Sequence, residues 1–80
     1  MLQKKSKLLL ILLLLLLIKV EEKIKANEER LNELDELLAD PEIAKNSAKL
    51  NEISKEQDKI SETLDELMAQ WEELSDLLDE

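Results

Sequence analysis

From Leu50 onward the chain repeats one spacing without a slip. Leu50, Ile53, Gln57, Ile60, Leu64, Leu67, Trp71, Leu74 and Leu78 fall alternately three and four residues apart. Gln57 is the only member that is not apolar. A spacing of this kind lays its side chains in one stripe along an α-helix, and it suits neither the period of a strand nor an irregular loop. The positions between are mainly Glu, Asp, Lys and Ser, as a solvated helix face requires. The same rhythm occurs earlier at Val20, Ile24, Asn27, Leu31, Leu34 and Leu38, with Asn27 the polar member and Leu37 widening the stripe.

Between the two stripes lies the only proline, Pro41. Proline disfavours helical geometry in the residue before it, so the first helix should stop near Asp40. Asp40 is then placed to cap a short new turn with Pro41 at its first position. Asn46 or Ser47 can cap the second long helix. Helices joined by so short a connection lie antiparallel. Folding the stripes about a centre near residue 44 sets Leu38 against Leu50, Leu34 against Ile53 and Leu31 against Gln57. The register continues with Asn27 near Ile60, Ile24 near Leu64 and Val20 near Leu67. The predicted fold class is therefore all-α, a two-helix antiparallel coiled-coil hairpin over residues 20–80 with its bend near 40–46.

Residues 1–19 form a basic, Leu-rich segment predicted to be continuous with the first helix. Within it, residues 8–18 are eleven unbroken apolar residues between Lys7 and Lys19. At about 1.5 Å per residue this run covers ~16 Å, roughly half of a bilayer's hydrocarbon core. It has the length of the apolar part of a signal peptide, and Lys4, Lys5 and Lys7 would supply the basic part. The exit offers no small residues for cleavage, and no Cys follows for lipidation. Carried back along the first helix, the register sets Leu17 opposite Trp71, and Leu13 or Leu14 opposite Leu74. One partner helix covers only one face, so the remaining leucines call for a membrane, a protein partner or self-association.

Composition removes most chemistry. There is no Gly, so neither a phosphate-cradling loop nor a dinucleotide fingerprint can be built. There is no Cys or His, so a structural zinc site, a thiol nucleophile and an imidazole base are all missing. Carboxylates are plentiful, but they are strung along solvated faces with no pocket to shift a pKa. The sequence thus predicts no enzyme, no catalytic or metal-binding residue and no cofactor. Residues 1–20 carry four Lys and no acid, while residues 21–80 carry all 20 acids against 7 bases. A body so acidic does not favour nucleic acid as a partner.

Trp71, the only aromatic residue, reads as seam packing before it reads as an interface anchor. Asn27 and Gln57 either fix register or are partly exposed seam positions. Adjacent acids such as Glu21 and Glu22, Glu28 and Glu29, or Glu72 and Glu73 diverge around a helix, which makes them solvated charge rather than a cation site.

The bend Leu38-Ala39-Asp40-Pro41-Glu42, followed by a Leu-seamed helix that finishes in Trp71-Glu72-Glu73-Leu74, resembles the C-terminal coiled-coil domain of ABC-F ATPases of the Uup-like subgroup. The resemblance covers about residues 20–78. It implies a ribosome-linked interaction module in the cytoplasm, and some members link the hairpin to nucleic acid. Both ATP-binding cassettes of that family are missing, so ATP hydrolysis is not implied. The family approaches this hairpin through a Lys-rich polar stretch, of which Lys4-Lys5-Ser6-Lys7 would be the remnant. The leucine run departs from that pattern. It sets a membrane-associated acidic coiled coil, anchored by residues 8–18, beside the cytoplasmic reading, and fits a domain detached from its parent gene.

Overall fold

The computed structural model describes residues 6–79, and within them every regular element is helical. Helix α1 spans Lys7–Leu38, α2 spans Pro41–Ala44 and α3 spans Ser47–Asp79. The all-α reading holds. Lysines 4 and 5, read above as part of a basic end, lie outside the described residues.

Each boundary has a local cause. Ser6 is extended, and its Oγ accepts from the Leu9 backbone N–H at 3.1 Å, so α1 begins with one free donor satisfied. Thirty-two residues then follow with no Gly or Pro to interrupt them. The helix ends at Ala39, whose N–H bonds back to the Glu36 carbonyl at 3.1 Å. Asp40 adopts an extended φ and ψ of −75° and 121°, as the residue before a proline should. Its Oδ1 accepts from the Glu42 N–H at 2.9 Å, and Pro41 takes the first helical position, where no N–H is needed. Asn46, not Ser47, caps α3, its Oδ1 accepting from the Lys49 N–H at 3.1 Å. No described residue has a positive φ. The passage from α1 to α3 is made by two successive side-chain caps, in a chain that has no glycine to offer.

The described residues fill an envelope of 63 × 16 × 13 Å. Six side chains are buried: Leu13, Val20 and Leu34 on α1, and Ile53, Ile60 and Leu67 on α3. Leu34, Ile53 and Ile60 form one cluster, against which Leu31, Leu38, Leu64 and Ile43 pack. Ile43 belongs to α2, so the short helix closes the core at that end. It stands outside both periodic stripes, and periodicity gave no reason to single it out.

Candidate interaction surface

Every seam position named from the sequence is buried or half-buried. Val20, Leu34, Ile53, Ile60 and Leu67 are buried, while Ile24, Leu31, Leu38, Leu50, Leu64, Trp71, Leu74 and Leu78 are half-buried. The stripe on α1 extends three positions further back, to Leu17, Leu13 and Leu10. Of the pair left open opposite Leu74, Leu13 is buried and Leu14 is 48% exposed. The bend residues Asp40 and Pro41 are exposed.

Polar groups tie the two long helices together on either side of the seam. Arg30 donates through Nε to Glu56 Oε2 at 2.6 Å and through Nη2 to Oε1 at 3.1 Å, a forked pair that fixes distance and angle at once. The hydrogen bond from Arg30 holds the Glu56 carboxyl below the usual carboxylate range, and the same bond raises the guanidinium. Gln57 donates to Asp35 at 3.0 Å, so this polar seam residue reaches across to the other helix. Asn27 instead turns back and donates to the Lys23 carbonyl of its own helix at 2.8 Å. The Trp71 indole N–H donates to Glu21 at 3.1 Å, which leaves the ring over the seam and its polar edge satisfied. As partners on α1 move from Glu21 to Arg30, their partners on α3 move from Trp71 back to Glu56.

No group of three or more acidic residues converges as a metal site among the described residues. One open groove of about 370 Å³ runs beside Trp71, lined also by Glu21, Ile24, Lys25, Glu28 and Met68. It is shallow and formed by the flanks of the seam, with no convergent polar groups of the kind that fix a small ligand.

The largest departure from an ordinary surface is at the start of α1. Leu8, Leu9, Ile11, Leu12, Leu14, Leu15, Leu16 and Ile18 are between 44% and 74% exposed. Together they leave in water the equivalent of about four complete aliphatic side chains, whose burial would release ~6–12 kcal/mol gross. No described helix is long and apolar enough to cross a membrane.

Comparison with known proteins bears mostly on the part of the chain beyond this patch. A family model for the ABC transporter C-terminal domain matches residues 16–76. "Peptide chain release factor 1" of Bacillus subtilis (strain 168) is 50% identical over 44 residues, which are 55% of this chain and 12% of that protein. The protein of the same name from Lysinibacillus sphaericus (strain C3-41) shows the same identity over the same shares. "Putative ATP-binding protein YdiF" of Bacillus subtilis (strain 168) is 40% identical over 48 residues, 60% of this chain and 8% of that protein. The matched stretch thus spans about a tenth of the length of these curated relatives. No solved structure matches the chain.

Proposed function

We propose, from the premise that this chain belongs to the ABC transporter C-terminal domain family, that it is a non-catalytic interaction module: an antiparallel coiled-coil hairpin that docks on a larger assembly. The observation that carries this reading is the pair of matched seams. Both long helices bury residues at alternating spacings of three and four, and cross-helix partners run in opposite directions along the two helices. What such a module offers outward beyond residue 18 is a stiff rod with charged faces and a shallow groove in place of a deep cleft. That is a shape for contact rather than for turnover.

The assembly we favour is the translation machinery. Two arguments support it. The bend and the closing Trp-Glu-Glu-Leu resemble the ribosome-linked ABC-F proteins, and one group of relatives carries peptide chain release in its name. The acidic body, with 20 acids against 7 bases over residues 21–80, directs that contact to basic protein surface rather than to naked RNA. The test is sedimentation of the tagged full-length chain from bacterial lysate through a sucrose cushion at physiological salt. Co-sedimentation with ribosomes, and no shift of free RNA in a gel, is the expected result. A chain that stays wholly in the supernatant overturns the ribosome reading.

A further inference from the structure

The two flanks of the seam are not alike. On a helix that advances about 100° per residue, Glu21, Lys25 and Glu28 lie on one side of the α1 stripe and Arg30 on the other. On the Arg30 side the forked pair with Glu56 bridges the two helices. On the Glu21 side lies the open groove of about 370 Å³. Its walls are apolar, with Ile24 and Trp71 half-buried and Met68 44% exposed. Its carboxylates, Glu21 and Glu28, are exposed at the rim. The indole N–H of Trp71 donates to Oε2 of Glu21 at 3.1 Å and so holds this carboxylate at the edge of the ring, with Oε1 left to other donors. Both ion pairs among the described residues are made by Arg30, so Lys25 closes on neither Glu21 nor Glu28.

We propose that this groove is a docking point of the module, and that its occupant is an arginine side chain carried by a basic segment of a protein partner. Arginine has an apolar stem and a planar cation at its tip. The stem matches Ile24 and Met68, the guanidinium plane matches the indole face, and the charge matches Glu21 and Glu28. A purely apolar side chain would leave both carboxylates unmatched, and a phosphate would meet them with like charge. Charge around the groove has the same sign. Asp65 and Glu72, both exposed, stand three residues before and four after Met68, where side chains on a helix are neighbours. Helix α3 has no base after Lys59 to offset them. Lys25 is the one base in the lining, and its long stem lets the ammonium swing aside as a second cation enters. The groove is too open to hold a free small molecule, but an arginine on a protein segment is held by the rest of its chain as well.

The inference rests on the reading of the chain as a contact module and names the chemistry of one contact. Sedimentation with ribosomes reports that reading and peptide binding reports this one, so the two fail separately. The experiment titrates the full-length chain with a short labelled peptide of Arg, Ala and Leu at physiological salt, following peptide anisotropy and the emission of Trp71, the only Trp. The wild type should bind with a shift of Trp71 emission, and a peptide with Gln for each Arg should not. Glu21→Gln with Glu28→Gln keeps an acceptor for the indole and should weaken binding at least about tenfold, as loss of charge-assisted hydrogen bonds does. The control is Glu22→Gln with Glu29→Gln, which removes the same charge at the same spacing from the next face of α1. It should weaken binding no more than about twofold, since exposed charge away from the contact is screened. Equal weakening by the two double variants overturns the proposal, because the attraction is then general. Failure of the peptide to bind, or binding with Trp71 emission unmoved, overturns it too, as does an emission shift produced by single-stranded RNA instead. If the Glu21 and Glu28 variant loses its helicity, Lys25→Gln decides. Removing that base should tighten binding of the Arg peptide, and unchanged or weaker binding would sink the idea.

Discussion

Leu34 has 1% of its surface exposed, and three residues along the same helix Leu37 has 38%. The two are chemically identical, so their difference in environment sets what each contributes. Leu34→Ala removes atoms from the one cluster that both long helices share and leaves a cavity, with an expected loss of about 2–5 kcal/mol. For a chain this small that is a large part of its total stability. Leu37→Ala removes half-solvated surface and gains helix propensity, so its change should stay within about 0.5 kcal/mol. Urea denaturation followed by circular dichroism separates the two, and equal losses would mean that the cluster around Leu34 is wrongly drawn. Glu56 makes a different prediction. Its carboxyl is held below the ordinary range by the bond from Arg30, so the charged form is favoured by folding. The stabilisation is present above the carboxyl's unfolded pKa and is lost as pH falls through its folded one. Wild type should therefore melt above Glu56→Gln at neutral pH and level with it in acid. A difference that persists in acid would assign the effect to packing instead of ionisation.

At the scale of elements, the helices stop where short side chains take over from backbone hydrogen bonds. Asp40 and Asn46 each accept from one N–H that no carbonyl can reach. Asp40→Ala and Asn46→Ala should each cost about 0.5–2 kcal/mol, with Asn46 at the upper end because it starts a 33-residue helix while Asp40 starts one of four. Thermal melts of both single variants check the order, and a larger loss at Asp40 would mean that α2 organises the bend. The Asp40 cap was legible in the sequence because the proline after it and a glycine-free bend leave few residues able to perform the task, whereas the cap of α3 was narrowed only to Asn46 or Ser47 and the structure places it on Asn46. The stripes were legible because their apolar positions stand out from charged neighbours. The leucine run was not legible in the same way. Where every position is apolar, periodicity carries no information, and the choice between Leu13 and Leu14 waited on the structure. The Arg30 to Glu56 pair was hidden for the opposite reason: with 20 acids in the chain, composition cannot say which carboxylate a single arginine will meet. Ile43 was missed because a four-residue helix is too short to have a period.

For the whole molecule the governing quantity is the imbalance of charge, 20 acids against 7 bases over residues 21–80, held within an envelope 63 Å long and at most 16 Å across. Two electrostatic effects oppose each other there. Screening by salt weakens the attraction between Arg30 and Glu56, which is a contact of 2.6 Å and is therefore among the last to be screened. Screening also weakens repulsion among carboxylates spread over the full length of the rod, whose separations lie between one helical turn and several tens of Å. At about 0.01 M salt the screening length is ~30 Å, so most of those pairs repel, and at ~0.15 M it is ~8 Å, so most do not. The unfolded chain is more expanded and suffers less from the same charges. Repulsion is therefore the larger effect and the more salt-sensitive one, and the melting temperature should rise between these two salt concentrations. The rise should be greater for Arg30→Gln, which removes a base and with it the only forked ion pair among the described residues. A melting temperature that falls with salt in both proteins would mean that local ion pairs outweigh the long-range field, and that the acidic surface is balanced in ways the net charge conceals.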